Sequence, residues 1–144
     1  MYMYARVVHA VVVVVCPRSK NAYHMGTRLW MWRPAAIFCE GVNGYLARID
    51  DEAEYKKLQN IWDEYKLNIT DYEKDFVWVD GSYSTEKGSW TCRSTKRDCK
   101  YVNWADGQSE NHNTKGYCRA LRFGETEGMV DVPCISEAPY ICEI

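Results

Sequence analysis

The 144 residues predict a single α+β domain, and three observations lead to that class. The length suits one domain with a substantial core. Two helical patterns lie in the first half of the chain. Beyond Leu67, short apolar pieces are broken by Gly, Asp, Asn and Ser, which is typical of strands and long loops. Two helices followed by a strand-and-loop half define an α+β architecture.

The first helix is predicted from Trp32 to Cys39, because Pro34 is tolerated in an opening helical turn. Gly41 and Gly44 are expected to end it. The next residues, GYLARI, predict a short strand.

The second helix is predicted to begin near Asp51, whose side chain can cap it. Apolar residues then recur at helical spacing on one face, which we interpret as a core-facing stripe. These residues are Tyr55, Leu58, Ile61, Trp62 and Tyr65.

The N-terminal residues 1–28 are predicted to be an apolar and irregular segment, followed by the domain proper at 29–144. Residues 7–15 read VVHAVVVVV after Arg6, which has the length of a signal-peptide core but is too short to span a bilayer. No small-residue cleavage site follows. A β-branched strand explains the run equally well, so both alternatives stay open. We expect residues 17–28 to be irregular.

Composition excludes several classes of function. A net charge of −2 does not favour nucleic acid or an anionic membrane as partner, and no membrane span is expected. Seven cysteines without CxxC spacing indicate an oxidising compartment, so we expect a secreted protein. No catalytic motif such as HExxH or GxSxG occurs, so an enzyme is not expected. The triplet at Asn68 matches a glycosylation site.

Seven short motifs, in order from Trp32 to the end, resemble the C-type lectin-like domain family. They are WRPAAIFC, GYLARIDDEAEY, VWVDG, GSW, NWADGQSEN, VPC and PYICE. The resemblance implies a C-type lectin-like fold: two helices, antiparallel sheets and a long-loop region.

The resemblance also gives the cysteines partners. It pairs Cys39 with Cys142, and Cys118 with Cys134. Cys92 and Cys99 lie outside the usual pairs of the family and are close enough to close a small ring around RSTKRD, so we expect a third bridge there. Cys16 is left over.

In sugar-binding relatives, loop and strand oxygens hold a calcium ion that also binds the sugar hydroxyls. Calcium takes 6 to 8 oxygen ligands. Carried onto this sequence, the resemblance implies Gln108, Glu110 and Asp131 as metal ligands and Asn111 as a further contact to the glycan.

Other ligand positions of the family are altered here. Gly116 stands where the family has an acid, and Val130 replaces an amide. At the auxiliary calcium site, Tyr83 and Lys87 stand where related sequences often carry Asp and Glu. Calcium is therefore a possible cofactor of a degenerate site.

Two further groups of residues have alternative interpretations. Arg93, Lys96, Arg97 and Lys100 can contact an anionic glycan or an acidic protein, but a solvated loop is the preferred interpretation. Two tryptophans, at positions 90 and 104, could stack against a sugar, although the resemblance places them mostly in the core of the loop region.

The leading hypothesis is a secreted module that binds a glycan or glycoprotein through the long-loop region, with doubtful dependence on calcium. The alternative is a calcium-independent domain for protein binding or matrix assembly. Gly116 and Val130 favour the alternative, whereas the GQ-x-acid-N pattern favours glycan binding.

Overall fold

The computed structural model describes residues 4–8, 11–15, 22–66, 76–101, 104–105, 115–122 and 128–144. These ranges form two helices and ten strands, which confirms the α+β prediction. Helix α1 spans Trp32–Gly41 and helix α2 spans Glu52–Lys66. The strands are β1 (Tyr4–Val8), β2 (Val11–Val15), β3 (Ala22–Trp30), β4 (Tyr45–Leu46), β5 (Phe76–Ser84), β6 (Ser89–Cys92), β7 (Arg97–Asp98), β8 (Tyr117–Arg122), β9 (Gly128–Pro133) and β10 (Ala138–Glu143).

The strands hydrogen-bond along one path, in the order β1-β2-β3-β10-β5-β6-β7. Strand β8 pairs with both β5 and β9, and β4 pairs with β10. The pairs are antiparallel except that between β10 and β5, where Tyr140 lies opposite Trp78 in a parallel arrangement. Strand β5 therefore joins the sheet next to the chain termini to the hairpins of the second half.

The two helices cover opposite faces of the sheet, and the alternation of side chains along β5 shows why. Val77 and Val79 point into a cluster with the α2 residues, whereas Trp78 points into a second cluster with the α1 residues. Successive residues of a strand face opposite sides, so a run of three apolar residues needs apolar cover on both.

The predicted first helix is confirmed and extends two residues further than expected. Gly41 is its last residue, so glycine does not break it there. The left-handed residue that ends it is Asn43, with φ 66°. The amide of Asn43 donates to Glu40 O and that of Gly44 to Cys39 O, which together form a Schellman motif.

The predicted cap of the second helix is also confirmed. The backbone amide of Glu54 donates to the Asp51 carboxylate at 2.8 Å, and the Glu54 carboxylate accepts the amide of Asp50 at 2.7 Å. This reciprocal pair is a form of capping box. The expected apolar face is buried at four positions: Tyr55, Leu58, Ile61 and Trp62.

The expectation that residues 17–28 are irregular is wrong from residue 22 onward, because β3 begins there and pairs with β10. Only Tyr23 and Met25, which are both buried, show the apolar alternation of a strand here, and the half-buried His24 lies between them. Gly26 lies against the Tyr140 ring, so the strand has a small residue where a larger one would be expected. Two apolar residues were too few for the two-residue period of a strand to be recognised in the sequence.

The described residues of the valine-rich run lie in two strands, with Val7 and Val8 at the end of β1. Residues 11–15 form β2, which pairs with β3, and β1 extends the sheet beyond it. The division of the chain at residue 29 and the fate of the N-terminal segment stay predictions. In the described part of the chain no helix has the length and apolar content needed to cross a bilayer.

All three expected disulfides are present: Cys39–Cys142, Cys92–Cys99 and Cys118–Cys134. The first joins residues 103 positions apart in the sequence and fixes α1 to β10. A crosslink of that span restricts the unfolded chain and contributes up to about 4 to 5 kcal/mol to stability in the chain-entropy model.

Strand β5 is irregular between Trp78 and Ser82, where its pairing with β8 shifts register. Gly81 lies in this irregularity with φ 137°, and the side chain of Arg119 fills the space where a Cβ would stand: the added atom would lie 2.3 Å from Arg119 Cδ. Arg119 is 1% exposed. The glycine is therefore needed both for its backbone angle and for the space that it leaves.

Removing the cap of α2 is expected to weaken the fold modestly. Asp51→Ala should lower the free energy of unfolding by about 1 kcal/mol, because the amide of Glu54 loses its acceptor. The melting temperature should fall by about 3 to 4 °C. Asp51→Asn retains a capping oxygen and serves as the control; an equal loss in both variants would contradict the role of the cap.

Two glycines with positive φ differ both in backbone angle and in the space around them, so they should differ in their tolerance of a side chain. Gly88→Ala, at φ 67° with open space around it, should cost about 1 kcal/mol through the backbone alone. Gly81→Ala should cost about 3 kcal/mol or more, because alanine rarely adopts a φ of 137° and because Arg119 must also move. Urea denaturation measures both losses, and equal losses would refute the close packing of Arg119.

Candidate functional site

Three aromatic side chains form a continuous row across the β5–β6 hairpin and the segment that follows it. Tyr83 packs edge-on against Trp90 with ring centroids 5.6 Å apart, and Trp90 lies 5.3 Å from Trp104. All three are half-buried. We call them the aromatic row. It offers ring surface to solvent while resting on the body of the protein, as a surface that stacks against a flat ligand must.

The row ends beside strand β9. Trp104 forms an isolated parallel bridge with Met129, and the amide of Ala105 donates to Met129 O at 2.9 Å. Asp131 lies two residues further along β9 and therefore on the same face as Met129. Asp131 is 6% exposed. The one predicted ligand in the described residues thus lies near the aromatic row.

The other predicted ligands, Gln108, Glu110 and Asn111, lie outside the described residues, as do the sequon at Asn68 and Cys16. Their placement beside Asp131 therefore stays a prediction.

Gly116, Val130 and Asp131 are the described positions that correspond to calcium ligands of the family, and the first two do not suit a calcium ion. Gly116 has φ 98°, a conformation that a carboxylate-bearing residue rarely adopts. Val130 is 1% exposed and packs in the α1 cluster, facing away from Asp131. Among the described residues no cluster of three or more His, Cys, Asp or Glu side chains is arranged to hold a metal.

The auxiliary calcium site is replaced as well. Tyr83 belongs to the aromatic row, and Lys87 lies exposed in the turn between β5 and β6. A hard cation gains nothing from either side chain. In the sequence, Tyr83 could be identified only as a replaced calcium ligand. Its place in an aromatic surface depends on its cross-strand pairing with Trp90, which the spacing of residues along the chain does not show.

Beside the row, the Cys92–Cys99 disulfide closes a small ring of residues. The buried Asp80 carboxylate accepts the amides of Arg93 and Ser94 at 2.8 and 3.0 Å, so β5 holds the start of the ring directly. The Arg93 side chain reaches across to α1 and donates to the Glu40 carboxylate at 2.6 Å. This hydrogen bond lowers the pKa of Glu40 and raises that of Arg93.

A buried cation, Arg119, interacts with the Asp80 carboxylate that holds the ring. Burial lowers the pKa of the Arg119 guanidinium to about 10, and the negative charges of Asp80 and Asp50 oppose that shift. Its Nη2 donates to Tyr101 O at 3.2 Å. Asp80 thus accepts hydrogen bonds from backbone amides of the ring and also interacts electrostatically with the buried Arg119. Together these interactions link the ring to the core.

Residues 30–144 match the family model described as the lectin C-type domain. That range contains both helices, the three disulfides and the aromatic row. The members of this family are binding domains.

Two relatives show similarity over most of this chain. It is 25% identical over 121 residues to the hemolymph lipopolysaccharide-binding protein of Periplaneta americana, covering 78% of this chain but only 44% of that protein. It is 22% identical over 128 residues to C-type lectin 37Db of Drosophila melanogaster, covering 88% of this chain and 79% of the relative. The chain therefore spans less than half of the cockroach protein.

Among solved structures, the calcium-independent C-type lectin SPL-2 from Saxidomus purpuratus superposes with a TM-score of 0.72. The match covers 95% of this chain and 92% of that one at 16% identity, so it is a likeness of fold. The sequence motifs, the fold and the family match agree: this chain belongs to the C-type lectin domain family.

Proposed function

We propose that this domain is a secreted binding module that recognises a saccharide through the aromatic row and the polar residues at 108–111, without requiring calcium. The observation that carries the proposal is the row itself: three half-buried rings in contact, ending on the strand that bears Asp131. The apolar face of a sugar ring can stack on such a surface, while polar side chains bind its hydroxyl groups.

In this proposal the polar contacts come from Gln108, Glu110 and Asn111, while the Asp131 carboxylate, which is buried on β9, is not a direct contact. Carboxylates accept hydrogen bonds from vicinal hydroxyls, and amide side chains both accept and donate them, so a metal is not needed to orient the sugar. The name of the cockroach relative supports a saccharide-bearing ligand, since lipopolysaccharide is what that protein is said to bind.

Secretion is proposed from the cysteine content. Disulfides persist in oxidising compartments, and the structure contains three of them in a chain of this length.

We propose independence from calcium because two ligand positions of the family's calcium site do not suit the ion in this chain. Gly116 offers no side chain and Val130 is buried away from the site. The calcium-independent protein-binding alternative rests on the same two positions, and the aromatic row is what favours a saccharide over it.

The stacking surface can be tested at Trp90, which contacts the other two rings of the row. Trp90→Ala should weaken binding to saccharides detected on a glycan array in EDTA by about tenfold, the loss expected from one aromatic contact. Phe38→Ala is the matched control, because Phe38 is also half-buried but packs with Trp30 and Tyr140 on the α1 side. Equal binding by the Trp90 variant and the native domain would refute the proposed surface. A native domain that binds no saccharide with or without calcium would favour the protein-binding alternative.

Calcium dependence is tested by a thermal melt. A site with a millimolar dissociation constant would stabilise the fold by about 1.4 kcal/mol at about 10 mM CaCl₂. We expect no difference between melts in CaCl₂ and in EDTA. A rise of a few degrees in calcium that disappears in Asp131→Ala would show a working clamp and contradict this part of the proposal.

A further inference from the structure

An open groove of about 690 Å³ lies between α1, the β5–β6 hairpin and the Cys92–Cys99 ring. Its described lining holds four basic side chains and one acidic one: Arg33, Lys87, Arg93, Lys96 and Glu40. We call it the basic groove. It lies on a chain whose overall charge is −2, so the positive charge is local. Arg93 and Glu40 neutralise each other, which leaves three cations facing the groove.

These three cations come from separate elements of the fold. Arg33 is the second residue of α1, Lys87 lies in the β5–β6 turn, and Lys96 lies in the turn of the ring. All three are exposed, and none forms an ion pair with another described residue. Like charges that converge on one groove repel each other, so the arrangement favours an anion between them.

The position of Lys96 is fixed by its surroundings. Its amide donates to Cys92 O at 2.9 Å, inside the disulfide-closed ring. Its φ of 58° lies in the left-handed region, which favours glycine or asparagine over lysine. The ring is tied to α1 through Arg93 and Glu40. A cation is therefore held at a strained turn beside α1.

The basic groove and the aromatic row occupy opposite faces of the same hairpin. Ser82 lies opposite Thr91, and both line the groove. Tyr83 and Trp90 are the next cross-strand pair, and side chains alternate between faces, so their rings lie on the other side. A ligand in the basic groove therefore does not compete for the aromatic row.

We propose that the basic groove binds a saccharide that carries sulfate or phosphate esters. Such esters present several acceptor oxygens, which separate cations and hydroxyl groups can share. The helix positions 33 and 40 lie about 10 Å apart along the axis of α1, so an extended ligand fits better than a lone anion. Apart from Trp32 and Cys92, both buried, the described lining is polar, and it offers no apolar pocket for the anchoring side chains of an acidic peptide.

The proposal is tested by titrating the whole chain with a heparin-derived hexasaccharide in EDTA. The variant R33A/K87A/K96A should raise the dissociation constant by about tenfold to a hundredfold, the range expected from three exposed ionic contacts. The control R28A/K56A/K115A removes three exposed cations that do not line the groove and gives the same net charge. It should bind like the native chain, and added salt should weaken the native interaction.

Parallel titrations separate the sources of the anion and the two proposed sites. A phosphorylated pentamannose tests phosphate esters, and binding of either ester class supports the proposal and identifies the source. Trp90→Ala should leave the binding of these anionic saccharides unchanged. A failure of the proposal for the aromatic row would therefore not affect this result. Three results would overturn the proposal: no hexasaccharide or pentamannose bound, equal weakening in the control variant, or equally tight binding of polyglutamate.

Discussion

The two-sided burial of strand β5 is the constraint on which the rest of the structure depends. Its central residues must be covered on both faces, so α1 and α2 have to lie on opposite sides of the sheet. Two buried indoles reinforce this arrangement. Trp78 Nε1 donates to Trp30 O at 2.8 Å, and Trp32 Nε1 donates to Val79 O at 2.9 Å. A buried N–H without an acceptor is costly, so each indole fixes the position of a neighbouring segment as well as filling space.

Towards its C-terminal end, the same strand carries residues that contribute to both candidate sites. Asp80 anchors the Cys92–Cys99 ring, Gly81 makes room for Arg119, and Ser82 and Tyr83 face opposite sides of the hairpin. The core and the binding surfaces are therefore consecutive parts of one strand. A change in the conformation of β5 between Trp78 and Ser82 would therefore reach the ring through the two hydrogen bonds that Asp80 accepts.

The sequence was most informative where local chemistry decides structure. The apolar stripe and the cap of α2, the proline at the start of α1 and the three disulfides were all predicted, because each depends on residue type at short spacing or on a recognised family pattern. Strand β3 was missed because only Tyr23 and Met25 carry its period.

The candidate sites were predicted less completely because they depend on tertiary register. The basic residues of the ring were recognised in the sequence, but the structure divides them: Lys96 faces the basic groove, whereas Arg97 and Lys100 line a smaller cavity with Arg48 and Asp50. Arg33 lies more than fifty residues before Lys96 and could not have been grouped with it. The loop residues Gln108, Glu110 and Asn111 stay predictions, and Asp131 is the member of that set whose position near the aromatic row is described.

The two-faced hairpin has a consequence for how the sequence of such a domain can change. On β5, Ser82 faces the groove and Tyr83 carries a ring of the aromatic row, so a substitution at one of these positions alters one surface and leaves its neighbour's contacts in place. Selection acting on one ligand would then be largely uncoupled from selection acting on the other. A shift of one residue in the hairpin register would exchange the two surfaces together, so insertions there should be far less tolerated than point substitutions.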